Sequence, residues 1–526
     1  MTLIYSKRLR GWRFLLFNLC LSVGHALVLF NAGAYIAMLP RVAGGLGIPP
    51  SYATWTQTDY MTGLALAFPV GGWLARRFGE YRPFVAAFMV YALASLTCAL
   101  CTSHYGFLAG RILLGFSGGL TLPLGQSLVM KEYPEKRKSL GIGVWGLFTM
   151  TPFTLGPPLG GWIADNLGWR WLFWLNVPVA LAVGGIICAL LCHRGYRSTH
   201  RRFDILGFLM LAVIAGGVQT LLNQGNDLDW FNSGYLSGLA LMTVIVLIYF
   251  VIWELSLRHP FVDLQLFAHR NFVICTVIIF LGFFCFQGLL SMLIVQLQLS
   301  LGYSSLLAGL AFLPMLFFSK PMTSVCHEVI KRVDARLLAS LCLLGFAMTY
   351  FWLSRFDDAG SYDQLFWPKL LEGACLGCFF APLTALLAHG LSPDRQWRAV
   401  ELAGLMRIAA GGLGITFQGV VLYRRAPFHQ TRMAESMTPL DPGFDHALNT
   451  LTDAGFSEPA AWVKLAKLIA RESVILGMGD AYLIAGTIFV GLSILVWLAH
   501  PIKQPAVMTP DQELRSKALE ELAEQL

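Results

Sequence analysis

Charged residues are scarce in this chain of 526 residues. Asp, Glu, Lys and Arg make up 13% of it, whereas 56% of the residues are hydrophobic. Soluble domains carry about 25% charged residues, so the composition excludes an ordinary soluble protein. The net charge of +8 does not indicate a nucleic-acid partner, because the basic residues fall in short gaps between apolar stretches.

The signatures of an enzyme are also lacking. There is no Gly-rich Walker loop, so ATP hydrolysis is not the expected energy source, and no Ser, His and Asp set stands at a readable spacing. The eleven cysteines include close pairs such as Cys98 and Cys101, but these lie in apolar stretches without neighbouring His or carboxylate residues. We expect them to be small buried side chains. The sequence therefore predicts no enzyme, no cofactor and no metal site.

About fourteen apolar stretches fill the chain, each near the ~20 residues that cross a bilayer as a helix. The first, 14–39, exceeds the ~7–15 residues of a signal-peptide core and is expected to be retained as a span. Lys and Arg collect in every second gap, for example at Arg76, Arg77 and Arg82. Basic residues remain on the cytoplasmic side. The pattern predicts an all-α, multi-pass protein of the cell inner membrane with both termini in the cytoplasm.

An internal repeat divides the chain. A basic residue is followed four and eight residues later by glycine at Arg111, Gly115 and Gly119, and again at Lys369, Gly373 and Gly377. Each set lies in the fourth span of a six-span unit, an arrangement typical of transporters with a site between two halves. The predicted divisions are an N-terminal half (1–192), a linker with two further spans (193–271), a C-terminal half (272–500) with a long outer loop (422–479), and a cytoplasmic tail (501–526).

Four segments resemble motifs of the major facilitator superfamily. Residues 156–161, Gly-Pro-Pro-Leu-Gly-Gly, resemble its antiporter motif, and 111–119 resemble its span-four motif. Residues 72–79 are similar to its loop between spans two and three, and 169–178 to the start of span six in its fourteen-span drug/proton antiporter branch. With the long outer loop, the chain resembles the EmrB-type pumps of that branch. The motif residues carried over are Gly72, Arg76, Gly79, Gly115, Gly119, Gly156, Pro157, Gly160 and Gly161.

The resemblance implies a major facilitator fold of two six-helix halves plus two inserted helices, fourteen transmembrane helices in all. It further implies a proton-coupled exporter of small amphipathic or hydrophobic compounds that works by alternating access. A periplasmic adaptor and an outer-membrane channel would complete a tripartite efflux system. The alternative is a dedicated transporter of an endogenous metabolite, such as a siderophore. The implied partners are the substrate, protons and the lipid bilayer.

Two residues depart from the family pattern. Arg76 stands where the loop motif usually has Asp, which puts a gating charge pair between the halves in doubt. Asn31 stands where the drug pumps have an Asp in span one, and an amide forms hydrogen bonds but does not titrate. The proton must then be carried elsewhere.

Ionisable groups within the spans cost about 2.5–3.5 kcal/mol each at the bilayer centre, so each one needs a partner or a purpose. Asp59 and Glu372 are the acids at suitable depth for proton coupling, and His25 is the next candidate. Lys369 is expected to extend toward the bilayer surface, which would leave Glu372 the more readily titrating acid. A static ion pair between Asp59 and Arg111 is the alternative for Asp59.

Asn31, Arg111 and Arg407 are the candidates for substrate binding or gating. Asn31, Arg111 and the two acids lie at similar depths, so they are predicted to converge on one vestibule. Several phenylalanines, among them Phe283 and Phe380, either line a hydrophobic cavity or pack against lipid and neighbouring helices. The sequence leaves both readings open.

Overall fold

The computed structural model describes residues 9–134, 138–193, 203–257, 260–357, 362–437 and 442–502. Most of the predicted basic linker after residue 193 and of the tail after residue 501 lies outside these ranges. The described residues form sixteen α-helices and no strand. In chain order they are α1 (Trp12–Leu46), α2 (Pro50–Phe78), α3 (Tyr81–Leu100), α4 (His104–Glu132), α5 (Lys138–Asn166), α6 (Trp171–Leu191), α7 (Ile205–Gln224), α8 (Gly234–Ser256), α9 (Arg270–Leu299), α10 (Ser305–Leu310), α11 (Leu313–Val329), α12 (Ala335–Leu353), α13 (Asp363–Ala388), α14 (Pro393–Ser436), α15 (Pro442–Asp453) and α16 (Glu458–Leu495).

The first six helices form one half of the bundle. Within it α1 packs on α5, α2 on α4, and α3 on α4 and α6. Gly115 and Gly119 of α4 face the carbonyl oxygens of Tyr60 and Leu64 on α2, and a Cβ at either glycine would overlap that oxygen. Glycine is required there because the helix backbones touch, as small residues allow in membrane bundles.

Helices α9 to α14, together with α16, form the second half, in which α10 and α11 count as one interrupted helix. Here α9 packs on α14, and α11 on α13. Gly373 and Gly377 of α13 face the carbonyl oxygens of Met315 and Ser319 on α11. The fourth helix of each half thus contacts the second helix through the same pair of glycines. The repeat read from the sequence is a repeat of backbone contacts.

The two helices between the halves are α7 and α8, which pack on one another, and α7 also contacts α2 and α14. Gln219 of α7 donates to Thr416 Oγ1 of α14 (2.6 Å), and Asn223 donates to Thr58 Oγ1 of α2 (3.4 Å). Helix α7 therefore lies along the seam between the halves and forms hydrogen bonds with both.

Twelve helices in the described ranges are long and apolar enough to cross a membrane. Two more, α2 and α5, are 29 residues each, about 43 Å at 1.5 Å per residue. Helix α2 is less apolar because it buries polar side chains inside the bundle, among them Thr56, Gln57 and Thr58. The membrane-protein fold class is confirmed, and the count of fourteen spans stays a prediction.

The segment predicted as a polar outer loop, 422–479, is largely helical. Helix α14 continues to Ser436 and α16 already begins at Glu458, with the short α15 between them. At 1.5 Å per residue, the 44 residues of α14 span about 66 Å, roughly twice the hydrocarbon core. The helices continue through polar sequence because they pair: Arg425 Nε and His429 Nε2 of α14 contact Asp480 Oδ2 of α16 at 2.5 and 2.6 Å.

Candidate functional site

The bundle has two ends, named here by their residues. The inner end carries the start of α1 at Trp12 and the end of α2 at Arg76, and the outer end carries Leu46 and Asp165. The predicted orientation would place the inner end in the cytoplasm.

Arg111 of α4 is fully buried and held by neutral acceptors from α1 and α2. Its Nη1 donates to Asn31 Oδ1 (2.9 Å), its Nη2 to Gln57 Oε1 (2.8 Å) and its Nε to the Thr56 carbonyl (3.0 Å). The guanidinium carbon also lies 3.8 Å from the ring centroid of Tyr35. A buried cation is tolerated when hydrogen bonds and ring faces replace its water.

Asp59 is half-buried on α2, within electrostatic range of Arg111, but the two form no ion pair. The alternative of a static Asp59–Arg111 pair is therefore not realised. In the described part of the chain no hydrogen bond reaches the Asp59 carboxylate. This acid remains available to a proton or a substrate group.

In the second half, Lys369 and Glu372 form a buried ion pair on α13. Lys369 Nζ lies 2.5 Å from Glu372 Oε2, and the two side chains are 0% and 1% exposed. Glu372 Oε1 accepts a hydrogen bond from the Tyr350 hydroxyl of α12 (3.1 Å). The prediction that Lys369 extends toward the bilayer surface is wrong, because a spacing of three residues places both side chains on one helix face, where they are buried against α11 and α12.

The predicted convergence of Asn31, Asp59, Arg111 and Glu372 on one vestibule is also wrong. Asn31 and Arg111 lie together, and Asp59 is close to them on α2. Glu372 is enclosed within the second half, where it pairs with Lys369. Similar depth in different helices did not imply proximity, because each fourth helix turns its buried cation into its own half.

Arg407 lies about 21 Å along α14 at 1.5 Å per residue, near the middle of the bundle. Its guanidinium carbon is 5.3 Å from the ring centroid of Phe283 and 5.2 Å from that of Phe380. Within the described ranges it forms no hydrogen bond and no ion pair. His25 of α1, 5% exposed, lies within electrostatic range of it. Arg407 therefore faces the first half.

At the outer end the halves are joined by α5 and α10. A Cβ at Gly161 would overlap the Ser305 carbonyl oxygen, and one at Gly309 would overlap that of Pro157. Asp165 at the end of α5 accepts a hydrogen bond from Leu306 N (2.8 Å). The antiporter motif provides this contact because its small residues allow the two backbones to touch.

The same motif has a second packing face. Gly156 and Gly160 approach the backbone of α1 at Gly33 and Ala34 so closely that a Cβ would overlap it. Pro157 and Gly161 face the other half instead. One face of the motif thus packs closely on α1 within its own half. The other face presents small residues to α10 of the opposite half.

At the inner end, Arg76 of α2 meets an acid that sequence reasoning missed, Glu401 of α14. A Cβ built at Gly72 would lie 2.7 Å from Glu401 Oε1 and 3.5 Å from Arg76 Nη1, which places both charged groups over this glycine. The two opposite charges, one on each half, lie within electrostatic range of one another. Gly79, three residues after Arg76, ends α2 with φ of 80°, a conformation that favours glycine.

A cavity of about 490 Å³ opens beside this pair. Its walls include Trp73 of α2, Phe203 and Phe261 next to the inserted helices, and Glu401. The sequence did contain a signal for Glu401 that was not used. A basic residue in place of the motif's Asp favours an acid on the facing half, and Glu401 lies early in α14. Tyr350 carried no such signal, because its role depends on packing between α12 and α13.

A family model described as Major Facilitator Superfamily matches residues 21–415. The chain belongs to this superfamily and is a multi-pass membrane transport protein.

Its relatives match over nearly their whole length. The fatty acid resistance protein FarB of Neisseria gonorrhoeae is 32% identical over 91% of this chain and 95% of its own. The multidrug export proteins EmrB of Haemophilus influenzae and of Escherichia coli are each 30% identical over 94% of this chain and 97% of theirs.

Solved structures share the fold at low identity. The POT family transporter PepTSo matches with a TM-score of 0.60 and 15% identity, over 93% of this chain and 99% of its own. A bacterial homologue of the lysosomal transporter Spinster, in an inward-facing and occupied conformation, matches with a TM-score of 0.57 and 15% identity, over 94% and 98%.

Proposed function

We propose that this protein exports small amphipathic or hydrophobic compounds across the inner membrane in exchange for protons, by alternating access of its two halves. The observation that carries the proposal is the buried Lys369–Glu372–Tyr350 cluster in a chain whose relatives are named for multidrug export and fatty acid resistance. A buried acid without a function would be expensive to retain in a membrane protein. The relatives' names do not favour a siderophore transporter.

Glu372 is the proposed proton carrier. In the ionised state it compensates Lys369, and the pair is stable only with its hydrogen bonds intact. Protonation of Glu372 removes that compensation and weakens the tie to Tyr350 on α12. The helices of the second half can then repack. The altered packing between the two halves favours the conformation that opens to the opposite side of the membrane. Asp59 is the second acid of the proposal, and His25 is the candidate if neither acid serves.

Alternating access requires contacts that form and break at the two ends. At the outer end these are the backbone contacts of α5 with α10. At the inner end they are the charges Arg76 and Glu401 over Gly72. Helix α7, which forms hydrogen bonds with both halves, would act as a flexible cover of the α2–α14 seam during the motion.

The proposed orientation has both termini in the cytoplasm. The segment 422–479, in which the end of α14 pairs with the start of α16, then projects into the periplasm as an extension of the bundle. Trp462 and Val463 on its surface are 45% and 56% exposed. Exposed apolar side chains on a projecting element are typical of a docking surface. We assign this surface to a periplasmic adaptor, which with an outer-membrane channel would complete the export path.

Accumulation of a fluorescent neutral amphiphile in an efflux-deficient Gram-negative host tests the function. Cells with the protein should accumulate less dye than cells without it, and an uncoupler should abolish the difference. The variant Asp357→Asn, which removes an exposed acid, serves as the control and should behave like the parent protein. Equal dye levels with and without a well-expressed protein would refute the proposal.

A further inference from the structure

Two carboxyl groups meet at the inner ends of the inserted helices. Asp204 stands directly before α7, and Glu254 lies in the last turn of α8. A Cβ at Gly207 would overlap Asp204 Oδ2 and would lie 3.0 Å from Glu254 Oε1. The two carboxylate oxygens therefore converge on one point above Gly207, in the space that the missing side chain leaves free.

The surroundings of the two acids differ. Asp204 accepts hydrogen bonds from Gly207 N (3.0 Å) and Trp253 Nε1 (3.1 Å), so it caps the positive end of α7. Donors of this kind stabilise an ionised carboxylate. Glu254 is 2% exposed, and its Oε2 accepts from Val262 N (3.2 Å). Its Oε1 has no hydrogen-bond partner within the described ranges. These contacts favour the charge on Asp204 and leave a buried oxygen of Glu254 unsatisfied.

The neighbouring cations are engaged with other acids. Of the described residues, the charged groups that line the cavity beside Asp204 are Arg76, Asp263, Arg398 and Glu401. Arg398 pairs with Asp263 (3.3 Å), and Arg76 lies within electrostatic range of Glu401. In the described part of the chain, Asp204 is the one charged group in electrostatic range of the Glu254 carboxylate. Two carboxylates that share a buried site repel one another, so one of them takes up a proton.

From this geometry we infer that Asp204 and Glu254 form a proton-binding site, in which one proton on Glu254 Oε1 is donated to Asp204 Oδ2 and holds the inner ends of α7 and α8 together. The hydrogen bond satisfies the orphaned oxygen. When the pH rises, the O–H bond of Glu254 breaks and its proton passes to water. A second negative charge then lies beside Asp204 in a buried position, and the two acids separate.

The segment that follows α8 connects this acid pair to α14. Val262 N donates to Glu254, and the next residue, Asp263, pairs with Arg398 of α14. Movement of Glu254 away from Asp204 therefore pulls on the segment that ties α8 to the second half. The inner ends of α8 and α14 should be held together in acidic buffer and separate as the pH rises. This regulation of the inner end does not depend on the substrate or on Glu372.

Infrared spectroscopy of the purified full-length protein in nanodiscs tests for the proton. The C=O stretch of a protonated carboxyl group is well separated from the bands of a carboxylate. The parent protein should show such a band in mildly acidic buffer and lose part of it in mildly alkaline buffer. Glu254→Gln should lack that part. The control Asp357→Asn removes an exposed acid and should give the spectrum of the parent protein.

Spin labels test the separation. Ile252→Cys on α8 and Val400→Cys on α14 are exposed positions, and their distance is measured in an otherwise Cys-free protein. The distance should lengthen between acidic and alkaline buffer. Glu254→Gln should keep the short distance in both, because its amide can donate to Asp204 at any pH.

Two glycines of α7 provide a matched pair of variants. Gly207→Ala places a methyl group where the two carboxylate oxygens converge, so it should lengthen the label distance even in acidic buffer. Gly216→Ala on the same helix meets no atom within 4 Å and should behave like the parent protein.

Three results would overturn the inference: a parent label distance that is independent of pH, a distance in Glu254→Gln that still changes with pH, or identical carboxyl bands in the parent protein and Glu254→Gln. The first needs no variant of the acid pair. A distance that responds to sodium or potassium ions instead of protons would assign the pair to a metal cation and would also overturn it. Substrate-driven proton release, which the proposed function assigns to Glu372, should persist in Glu254→Gln, so the two proposals can fail separately.

Discussion

The two buried cations Arg111 and Lys369 hold equivalent positions in the two halves but are compensated differently. Arg111 is solvated by amides and a carbonyl, whereas Lys369 is paired with the carboxylate of Glu372. Only the second cluster contains a carboxylate within its hydrogen-bond network. This asymmetry is the reason to place the proposed proton step in the second half.

Replacement of Glu372 by Gln should abolish proton release on substrate binding by the purified protein in detergent. The amide can still accept from Tyr350 but cannot exchange a proton. Substrate binding should persist, and Asp59→Asn should retain proton release. If release is undiminished in Glu372→Gln and lost in Asp59→Asn, Asp59 is the carrier. Undiminished release in the double variant would reject both acids and leave His25.

At the scale of single elements, helix α5 packs closely on two sides. Its glycines contact the backbone of α1 in its own half and the backbone of α10 in the other half. Gly161→Val should force the outer ends of α5 and α10 apart, since a side chain there overlaps the Ser305 carbonyl oxygen. Spin labels on Gly44→Cys and Leu299→Cys, at the outer ends of α1 and α9, would report the separation by electron–electron dipolar spectroscopy in an otherwise Cys-free protein. The distance should lengthen and transport should fall.

The matched control for this prediction is Gly185→Val on α6, where an added Cβ meets no atom within 4 Å. It should leave the label distance and transport unchanged. An unchanged distance in Gly161→Val would contradict the assignment of this contact as the outer closure.

The extension of α14 and α16 can be removed without cutting its base. Ser473 Oγ lies 3.9 Å from Met433 Sδ, so the deletion of 434–472 joins two adjacent helix ends through a short Gly-Ser linker. The variant should insert and pump in everted inner-membrane vesicles, but cells that carry it should lose resistance, because the proposed adaptor contact is missing. Full resistance in cells with well-expressed variant would disprove the docking role.

The sequence predicted those elements whose signal is local. The glycine pairs at 115 and 119 and at 373 and 377 could be assigned because a repeated spacing in two equivalent spans implies a repeated contact. The lengths of α14 and α16 could not be predicted from the sequence. Where these helices extend beyond the bilayer they are polar, so they do not appear as long apolar stretches. The same limit applied to the site: Tyr350, which donates to Glu372, and Glu401, which lies near Arg76, are on other helices, and only packing brings them together.

For the whole molecule, the proposed inner-end link between the halves is the attraction between Arg76 and Glu401, which lie within electrostatic range of one another. Arg76→Glu should place two acids together and weaken inner-end closure, which lowers transport. The reversed pair Arg76→Glu with Glu401→Arg should recover a substantial part of the activity, because the attraction is restored across the same glycine. Double-variant coupling of this kind isolates the pairwise contribution. Activity of the double variant no better than that of Arg76→Glu alone would reject the pair as a functional contact.

The account's central claim is that the two halves couple outward movement of an amphiphile to inward movement of protons. Proteoliposomes that hold only this protein, with an acidic lumen, test it most directly with three labelled amphiphiles: one anionic, one neutral and one cationic. The account predicts that at least one of the compounds accumulates in the lumen against its gradient, that an ionophore which collapses the pH gradient abolishes this accumulation, and that Glu372→Gln does not accumulate the compound. Failure of all three compounds to accumulate in response to the gradient would contradict the claim.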